Sequence, residues 1–430
     1  MNDPTPAANS RRDFLKTSAA TATALSLASV PFVHAGGTDT LKVGLIGCGG
    51  RGTGAAVNAL RGDRNVTLWA LGDAFRDRLD SSLASVRREN GLANQINVTP
   101  ERCFVGFDAY QRVIDSGVHV VLLCTPPHFR PIHLRAAVQA GKHAFVEKPV
   151  AVDGPGVRSV LATCADAQRR RLSIVSGLCW RYHNGMRETF RRVHDQAIGD
   201  IVTLQCNYNT GGLWHRARTQ GMGDMEWQMR NWLYFTWLSG DFNVEQHVHS
   251  LDKMAWAMRD QYPVRCWGLG GRQVRTGPEF GHIYDHMSVC YEYANGVKCY
   301  SYCRQQAGCA NEVKDYVFGT QGKVDVMAHN ITGRAPWRYP AAQARRDNMY
   351  QVEHDELFRN IRAGAPINNG EYMAKSTLMG IMGREACYTG QVITWEQALN
   401  SRQDLSPPRY AWDVELPVPP VARPGVTTFS

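Results

Sequence analysis

Short runs of almost continuously apolar residues recur along the first half of the chain, at residues 41–46, 66–71, 119–124, 143–146 and 172–176. The stretches between these runs place Arg, Asp and Gln on one side of a helical pattern. Strands that are apolar throughout are covered by helices on both faces, so the alternation predicts βαβ units around a parallel sheet. We therefore predict a doubly wound α/β domain over residues 38–178.

Beyond residue 178 the pattern changes to an alternation of polar and apolar positions, at residues 201–210, 285–293 and 297–304. Together with turn dipeptides such as Asn295-Gly296, it predicts a mostly antiparallel, open sheet. Helical periodicity occurs at 251–258, 352–363 and 373–389, so we expect an α+β domain over residues 179–405, with one helix returning to the first domain. Proline-rich residues 406–430 are expected to form an extended arm that covers the surface or a neighbouring subunit.

The N-terminal segment, residues 1–35, has the pattern of an export signal. The pair Arg11-Arg12 precedes an apolar run at 17–33 that is too short for a typical membrane span. These features predict a twin-arginine signal peptide, a periplasmic protein and no membrane anchor. A disordered terminus with two chance arginines is the alternative.

Charge and cysteine content narrow the function classes. The formal net charge of +9 comes from 48 Lys and Arg against 39 Asp and Glu, without a basic run interleaved with aromatic residues. This distribution argues against nucleic-acid binding.

The 12 cysteines contain no CxxC pair. A protein exported in folded form does not require disulfides, so we expect most cysteines to be small buried hydrophobes.

A glycine-rich loop with the sequence GCGGRG, residues 47–52, joins the first predicted strand to a helix. In this context Gly47 makes a tight turn, Gly49 admits a pyrophosphate to the backbone, and Gly52 permits close helix packing. The N-terminus of the helix faces the phosphate charge. We predict a dinucleotide site that also includes Gly50 and Arg51; a merely structural glycine-rich turn is the alternative.

Asp73 closes the second predicted strand, 21 residues after Gly52. This spacing is close to that of the acid that binds the adenosine ribose, and it favours NAD. Arg76 and Arg78 are suited to a 2'-phosphate, which leaves NADP open. An Asp at the end of a strand is also often only a helix cap.

Two further turns follow predicted strands, Thr-Pro-Pro-His at 125–128 and Glu-Lys-Pro at 147–149. Ligands of an open α/β sheet bind at this carboxyl edge. The glycine loop and the two turns, followed by a mixed second domain, resemble the Gfo/Idh/MocA oxidoreductases from about residue 41 to residue 395. The resemblance implies a Rossmann domain and a lysine, Lys148, that touches the substrate hydroxyl beside the nicotinamide. Predicted cofactor-binding residues at this edge are Thr125, Pro126, His128, Glu147 and Lys148.

The same family carries an Asp and a His four residues apart that face the nicotinamide. Residues 245–252 read EQHVHSLD, so the resemblance assigns His249 as the group that takes the hydroxyl proton. Glu245 stands where Asp is usual, and it either orients the site or holds another substrate hydroxyl. His247 is expected to be structural. If the two histidines shared one face of a strand, they would also suit zinc with Glu245, but the family does not ordinarily use a metal and we predict none.

Aromatic residues crowd the region after the last parallel strand. Trp180, Arg181 and Tyr182 lie near the expected cleft and, with Asp252, are predicted to bind substrate. Several aromatics between residues 227 and 237 are suited to stacking on a sugar, although each one is individually more typical of a core residue.

The sequence therefore predicts an oxidoreductase that uses NAD, or NADP, on a secondary hydroxyl of a sugar, polyol or glycoside. Free nicotinamide nucleotides are scarce outside the cytoplasm, so we expect tightly bound cofactor. One alternative is an NAD-dependent glycoside hydrolase or lyase that works by transient oxidation and elimination. Another is a nucleotide-binding protein without turnover. By analogy with the family we expect a homo-oligomer, a dimer or tetramer packed through the open sheet.

Overall fold

The computed structural model describes residues 39–430, and the predicted signal peptide lies outside them. The first part of the fold is built from six strands and five helices, with short 3₁₀ turns between them. In chain order these elements are β1 (Leu41–Ile46), α1 (Gly50–Gly62), β2 (Val66–Asp73), α2 (Arg76–Arg87), β3 (Cys103–Val105), α3 (Ala109–Asp115), β4 (Val120–Leu123), α4 (Arg130–Gln139), β5 (His143–Val146), α5 (Gly154–Arg169) and β6 (Ile174–Ser176).

The six strands form one parallel sheet in the order β3-β2-β1-β4-β5-β6. This is the order of a dinucleotide-binding fold, and it confirms the predicted doubly wound α/β domain. The chain reverses direction across the sheet between β1 and β4, so a crevice opens at their carboxyl ends. Sequence reasoning missed β3, because three residues are too few to show a periodicity.

The second part of the fold contains nine strands and nine helices. In chain order they are α6 (Asn184–His194), β7 (Ile201–Thr210), α7 (Asp224–Arg230), α8 (Thr236–Ser239), α9 (Phe242–Glu245), α10 (Val248–Ala257), β8 (Arg265–Gly271), β9 (His286–Glu292), β10 (Lys298–Gln305), β11 (Glu312–Gly319), β12 (Gly322–Asp325), β13 (Asn330–Gly333), β14 (Trp337–Arg338), α11 (Ala341–Ala344), α12 (Met349–Arg362), α13 (Gly370–Thr389), β15 (Ile393–Thr394) and α14 (Trp395–Asn400).

These nine strands make a single sheet in the order β14-β13-β12-β11-β7-β10-β9-β8-β15. Every neighbouring pair is antiparallel except β7 and β10, so the predicted mostly antiparallel sheet is confirmed. One face packs on α10 and α13. The other face presents exposed apolar side chains, among them Trp267, Leu269, Tyr300 and Tyr302.

Two contacts tie the halves of the chain together. Helix α12 returns to the first sheet, where Leu357 and Phe358 are fully buried beside α1. Helix α13 lies between the second sheet and α5 of the first domain, and nearly all of its residues are buried. The expectation of one returning helix is thus met by α12. The buried face of α12 therefore attaches this part of the second domain to the first domain.

The proline-rich arm covers its own chain. Tyr410 hydrogen bonds to His128 with 2.7 Å between Oη and Nε2, and the backbone of Leu416 is bonded to Asp224 and Gln228 of the second domain. Each bond fixes a segment that has no regular structure of its own. Among residues 39–430 no helix has the length and apolarity of a membrane span.

The twelve cysteines all lie within the described residues and are free. Eight are buried and Cys309 is exposed, as expected for cysteines that serve as small hydrophobes.

Candidate active site

A cavity of about 620 Å³ opens between the two domains, at the carboxyl ends of the parallel strands. Its size is typical of a site for a small molecule or cofactor. One wall is the glycine loop with the ends of β2, β4 and β5. The facing wall comes from the second domain, where Trp214, Arg216, Trp232, Glu245 and His249 line the space.

The glycine loop has the shape that a phosphate group requires. Gly47 has φ +97°, a conformation that side-chain-bearing residues rarely adopt, and a Cβ at Gly52 would collide with the carbonyl oxygen of Gly47. By contrast, a Cβ at Gly49 or Gly50 would meet only open space on the cavity side. Helix α1 begins at Gly50 without a side-chain cap, so its first amides are left to bind an anion. The loop therefore fits a dinucleotide pyrophosphate.

Asp73 lies at the end of β2 and lines the cavity. Its carboxylate accepts hydrogen bonds from the backbone amides of Cys48, at 2.6 Å, and Phe75, at 2.9 Å. Burial raises the pKa of Asp73, whereas these two amides act in the opposite direction. Asp73, the residue predicted to bind the ribose, thus also holds the glycine loop against the end of β2. Arg78 lines the same end of the cavity.

Arg51 connects three parts of the fold next to the glycine loop. Its guanidinium pairs with Glu147 at the end of β5 and with Glu353 on α12. Burial raises the pKa of Glu353 well above its usual range, although the charge of Arg51 opposes that change. Arg51 and Glu147 both line the cavity, and their ion pair holds the floor of the site rigid.

Lys148 follows Glu147 and reaches across the domain boundary. Its ammonium donates to the backbone carbonyl oxygen of Glu245, at 2.5 Å, and to the Glu245 carboxylate, at 2.8 Å. Both side chains are about 15% exposed and line the cavity. A partly buried ion pair of this kind fixes the position of the ammonium.

His249 lies in the first turn of α10 and also lines the cavity. Its Nδ1 is sealed from solvent and has no hydrogen-bond partner among residues 39–430. Burial lowers the pKa of His249 well below its usual range, and the positive charges of Lys148, Lys253 and Arg51 lower it further. The imidazole is therefore neutral near pH 7 and able to accept a proton.

The geometry expected of a histidine metal pair is wrong. His247 and His249 lie at the start of a helix and not on a strand, so two residues of separation turn their rings to different sides. His247 is fully buried and bonds Ser301 through Nε2 at 2.7 Å, which makes it a structural residue. No group of three His, Cys, Asp or Glu side chains within residues 39–430 has the arrangement of a metal site.

The turn at 125–128 contributes differently from the prediction. Thr125, Pro126 and Pro127 line the cavity. His128 does not line it, because its ring is buried and bonded to Tyr410 of the C-terminal arm. The expectation that His128 contacts the cofactor is corrected accordingly: the structure uses this side chain to anchor the arm.

The predicted substrate residues lie behind the cavity wall. Arg181 is 8% exposed and forms a two-pronged ion pair with Asp252, at 2.9 and 2.7 Å. Neither residue lines the cavity, nor do Trp180 and Tyr182. The same guanidinium also pairs with Asp260, at 2.6 Å, so Arg181 is held by two carboxylates of the second domain. These ion pairs indicate a structural role for Arg181 and Asp252, and the prediction for them is corrected. The wall at this point is formed by Cys179 instead.

Several lining residues were not singled out from the sequence. Phe75 and Phe107 line the end of the cavity near Asp73, and Trp412 of the arm packs on both rings, with centroids 5.3 and 4.5 Å apart. Arg130, the first residue of α4, lines the opposite end. Phe107 follows the missed strand β3. Arg130 follows the Thr-Pro-Pro-His turn closely enough that the turn itself was the available signal.

The strand order, the glycine loop and the cavity at the strand ends are those of a dinucleotide-binding domain. Residues 41–175 match the family described as oxidoreductase family, NAD-binding Rossmann fold, and residues 8–28 match the twin-arginine translocation pathway signal sequence. The chain thus carries the Gfo/Idh/MocA family domain behind an export signal, as its sequence motifs predicted.

Individual proteins resemble the chain more distantly. An inositol 2-dehydrogenase of Cereibacter sphaeroides is 32% identical over 264 residues, which are 60% of this chain and 65% of that protein. A glycosyl hydrolase family 109 protein of Streptomyces coelicolor is 27% identical over 184 residues, 43% of this chain and 36% of that protein. The chain therefore aligns with about a third to two thirds of these relatives' lengths.

Among solved structures, scyllo-inositol dehydrogenase from Lactobacillus casei superposes with a TM-score of 0.63. The superposition covers 83% of this chain and 99% of that one, at 16% sequence identity. This likeness establishes that the two-domain fold is shared.

Proposed function

We propose that the protein is an NAD-dependent oxidoreductase acting on a secondary hydroxyl of a sugar or polyol. The observation that carries the proposal is the convergence of Lys148 and His249, from different domains, on one cavity that also contains the glycine loop. A neutral histidine can remove a hydroxyl proton, and a lysine beside it can stabilise the charge left on the oxygen.

Bound nicotinamide would supply the hydride acceptor. The neutral Nε2 of His249 takes the proton from the substrate hydroxyl, and the ammonium of Lys148 stabilises the negative charge that develops on that oxygen. Glu245 acts as a positioning residue, because it holds the Lys148 ammonium from two sides. The glycine loop and Asp73 would hold the pyrophosphate and the adenosine ribose.

The choice of NAD rests on Asp73, whose carboxylate faces the cavity where a ribose hydroxyl would donate to it. A 2'-phosphate at that position would meet the carboxylate charge. Arg78 and Arg216 lie at the same end of the cavity, and they leave NADP as the less favoured cofactor.

Tight retention of the cofactor is supported by the arm. Trp412 covers Phe75 and Phe107 at the adenosine end of the cavity, and Tyr410 is tied to His128. A dinucleotide lying there would have to displace these contacts in order to leave. An exported enzyme needs such retention, because a lost cofactor is not replaced outside the cytoplasm. With the twin-arginine signal, this favours the periplasm as the site of action.

A glycoside hydrolase or lyase is the second candidate function. The relative described as a glycosyl hydrolase family 109 protein favours it. The same pair of residues suits both reactions, since transient oxidation of a hydroxyl acidifies the neighbouring C–H bond before elimination. Such a cycle returns the hydride and needs no external oxidant.

The exposed face of the second sheet supports a homo-oligomer. In register, Trp267 and Tyr300 flank Cys290, and Leu269 and Tyr302 flank Ser288, which makes two adjoining exposed apolar rows. Exposed apolar rows of this kind mark association surfaces in soluble proteins. We propose a dimer or tetramer joined through this face.

The test of function follows the nucleotide and the substrate together. Purified protein should release NAD on acid extraction, and sugars or polyols should produce a 340 nm absorbance with oxidised product at one equivalent per site. Release of aglycone from a glycoside without net NADH would select the second candidate. Protein that carries no nucleotide and binds none would contradict both.

A further inference from the structure

Arg130 is the first residue of α4 and is only 3% exposed, yet it lines the cavity. Two of its three guanidinium nitrogens, Nε and Nη1, are sealed from solvent and have no hydrogen-bond acceptor among residues 39–430. Buried guanidinium groups are normally paired, because removing an unpaired charge from water is strongly unfavourable. Arg130 is an exception that calls for a partner.

The carboxylates around Arg130 are already paired with other cations. Glu147 pairs with Arg51, and Glu245 pairs with Lys148. Both carboxylates influence Arg130 through space, but neither forms an ion pair with it within the described part of the chain. His133, on the next turn of α4, is held neutral by burial, which lowers its pKa to about 3. Arg51 takes a second carboxylate, Glu353, so the ion pairs of this site leave none for Arg130.

The position of Arg130 favours substrate over cofactor as the source of the missing anion. The pyrophosphate of a dinucleotide already has the free amides at the start of α1. Arg130 instead follows β4, which lies on the other side of β1 from β2 and Asp73. Among the charges that act on it, Glu147 comes first and Glu245, the residue that holds Lys148, also contributes. Arg130 therefore lies toward the end of the cavity where hydroxyl oxidation is proposed. A planar carboxylate matches the guanidinium fork, and a neutral sugar leaves it unpaired.

We propose that Arg130 binds a carboxylate of the substrate, so that the substrate class is a carboxylated sugar or polyol, such as a uronic or aldonic acid. The oxidation of a hydroxyl in this inference rests on the proposed function, whereas the binding of an acid by Arg130 is independent of it. Arg130 is thereby a specificity-determining residue that no sequence motif assigned.

The test compares matched pairs of ligands, glucuronate with glucose and galacturonate with galactose, by calorimetric binding and by single-turnover reduction of bound NAD. We expect each acid to bind the wild-type protein at least about 30-fold more tightly than its neutral partner. In Arg130→Gln this difference in affinity should disappear because the KM for the acid rises to that for the neutral sugar. Arg130→Lys should keep part of the difference. Arg135→Gln, an exposed change on the same helix, is the control and should match wild type.

Three outcomes would overturn the proposal. The first is equal binding of acid and neutral sugar by the wild-type protein, a measurement that needs no variant to fold. The second is loss of bound nucleotide from Arg130→Gln with unchanged substrate preference, which would assign the guanidinium to the cofactor phosphates. The third is turnover of neutral sugars as efficient as that of the acids, which would leave the oxidoreductase function standing and remove only this inference. If acids bind in an Arg130-dependent way but do not reduce the cofactor, the role of Arg130 stands and the oxidoreductase function is contradicted.

Discussion

The ammonium of Lys148 and the carboxylate of Glu245 lie 2.8 Å apart, although Lys148 follows β5 of the first domain and Glu245 ends α9 of the second. Both residues line the cavity between the domains, and His249 lines it as well. A change in either residue therefore alters the proposed chemistry without removing the glycine loop.

Replacement of Lys148 or His249 by Ala should leave a folded protein that retains nucleotide and loses at least about 100-fold in the hydride step, because positioned proton transfer typically contributes that much. The measurement is single-turnover reduction of bound NAD by substrate. The double variant should lose less than the product of the single losses, since both groups act on one hydroxyl. A His249→Ala protein that reduces its cofactor at the wild-type rate would exclude His249 from the mechanism.

Glu245→Gln should have a smaller effect, on the order of 10-fold. The side-chain ion pair is lost, but the backbone carbonyl of residue 245 still accepts a hydrogen bond from Lys148. Glu245→Asp tests the length of the side chain. If Glu245 instead bound a substrate hydroxyl, KM would rise with little change in the single-turnover rate at saturation.

Trp412→Ala and Tyr410→Phe should speed the loss of bound nucleotide, because each removes a contact that fixes the arm at the adenosine end of the cavity. Dilution followed by rapid filtration measures the remaining nucleotide over time. We expect Trp412→Ala to have the larger effect, at least about 10-fold, since Trp412 packs on two aromatic rings whereas Tyr410→Phe removes one hydrogen bond. Val418→Ala, an exposed change on the same arm, serves as the control. Equal dissociation rates in all three would show that the arm does not retain the cofactor.

Acid should destabilise the protein through its buried neutral histidines. Burial lowers the pKa of His143 to about 4, and its Nδ1 accepts a hydrogen bond from the amide of Ser173. In the unfolded chain His143 binds a proton with a pKa of about 6.5, whereas in the folded protein it does so only near pH 4. The stabilising contribution is therefore complete above pH 6.5 and falls between pH 6.5 and 4, by about 1.4 kcal/mol per pH unit.

Urea unfolding at several pH values measures this contribution. His143→Asn keeps an acceptor for Ser173 and removes the titrating group, so its free energy of unfolding should vary less between pH 6.5 and 4 than that of the wild type. An unchanged pH dependence in this variant would mean that folding does not lower the pKa of His143.

Replacement of Arg11 and Arg12 by Lys should leave a folded precursor in the cytoplasm, because the twin-arginine pair is the recognised part of the signal. Fractionation of expressing cells, with activity and nucleotide content measured in each fraction, gives the result. The unaltered precursor is the control. Normal periplasmic yield from the lysine variant would contradict export by this route.

The sequence alone determined the elements that depend on neighbours along the chain. The apolar strand at 41–46 and the glycine loop after it were identified because periodicity and tight-turn chemistry are local properties. The same holds for the export signal. Lys148 was assigned from the resemblance of its Glu-Lys-Pro turn to a family motif, which is also a local sequence feature. Each is encoded within about ten residues, so no tertiary contact was needed to find it.

Only the tertiary structure decided which side chains meet. Arg181 and Asp252 were expected at the substrate site, yet they form an ion pair in the interior, 71 residues apart in the chain. His128 follows the end of a strand, where cofactor-binding residues are expected, but its ring is hydrogen bonded to Tyr410 of the arm. Arg130 came to notice only when its buried nitrogens were found without acceptors. The pairing, burial and direction of a side chain depend on residues that are distant in sequence, so they cannot be predicted from the local sequence pattern.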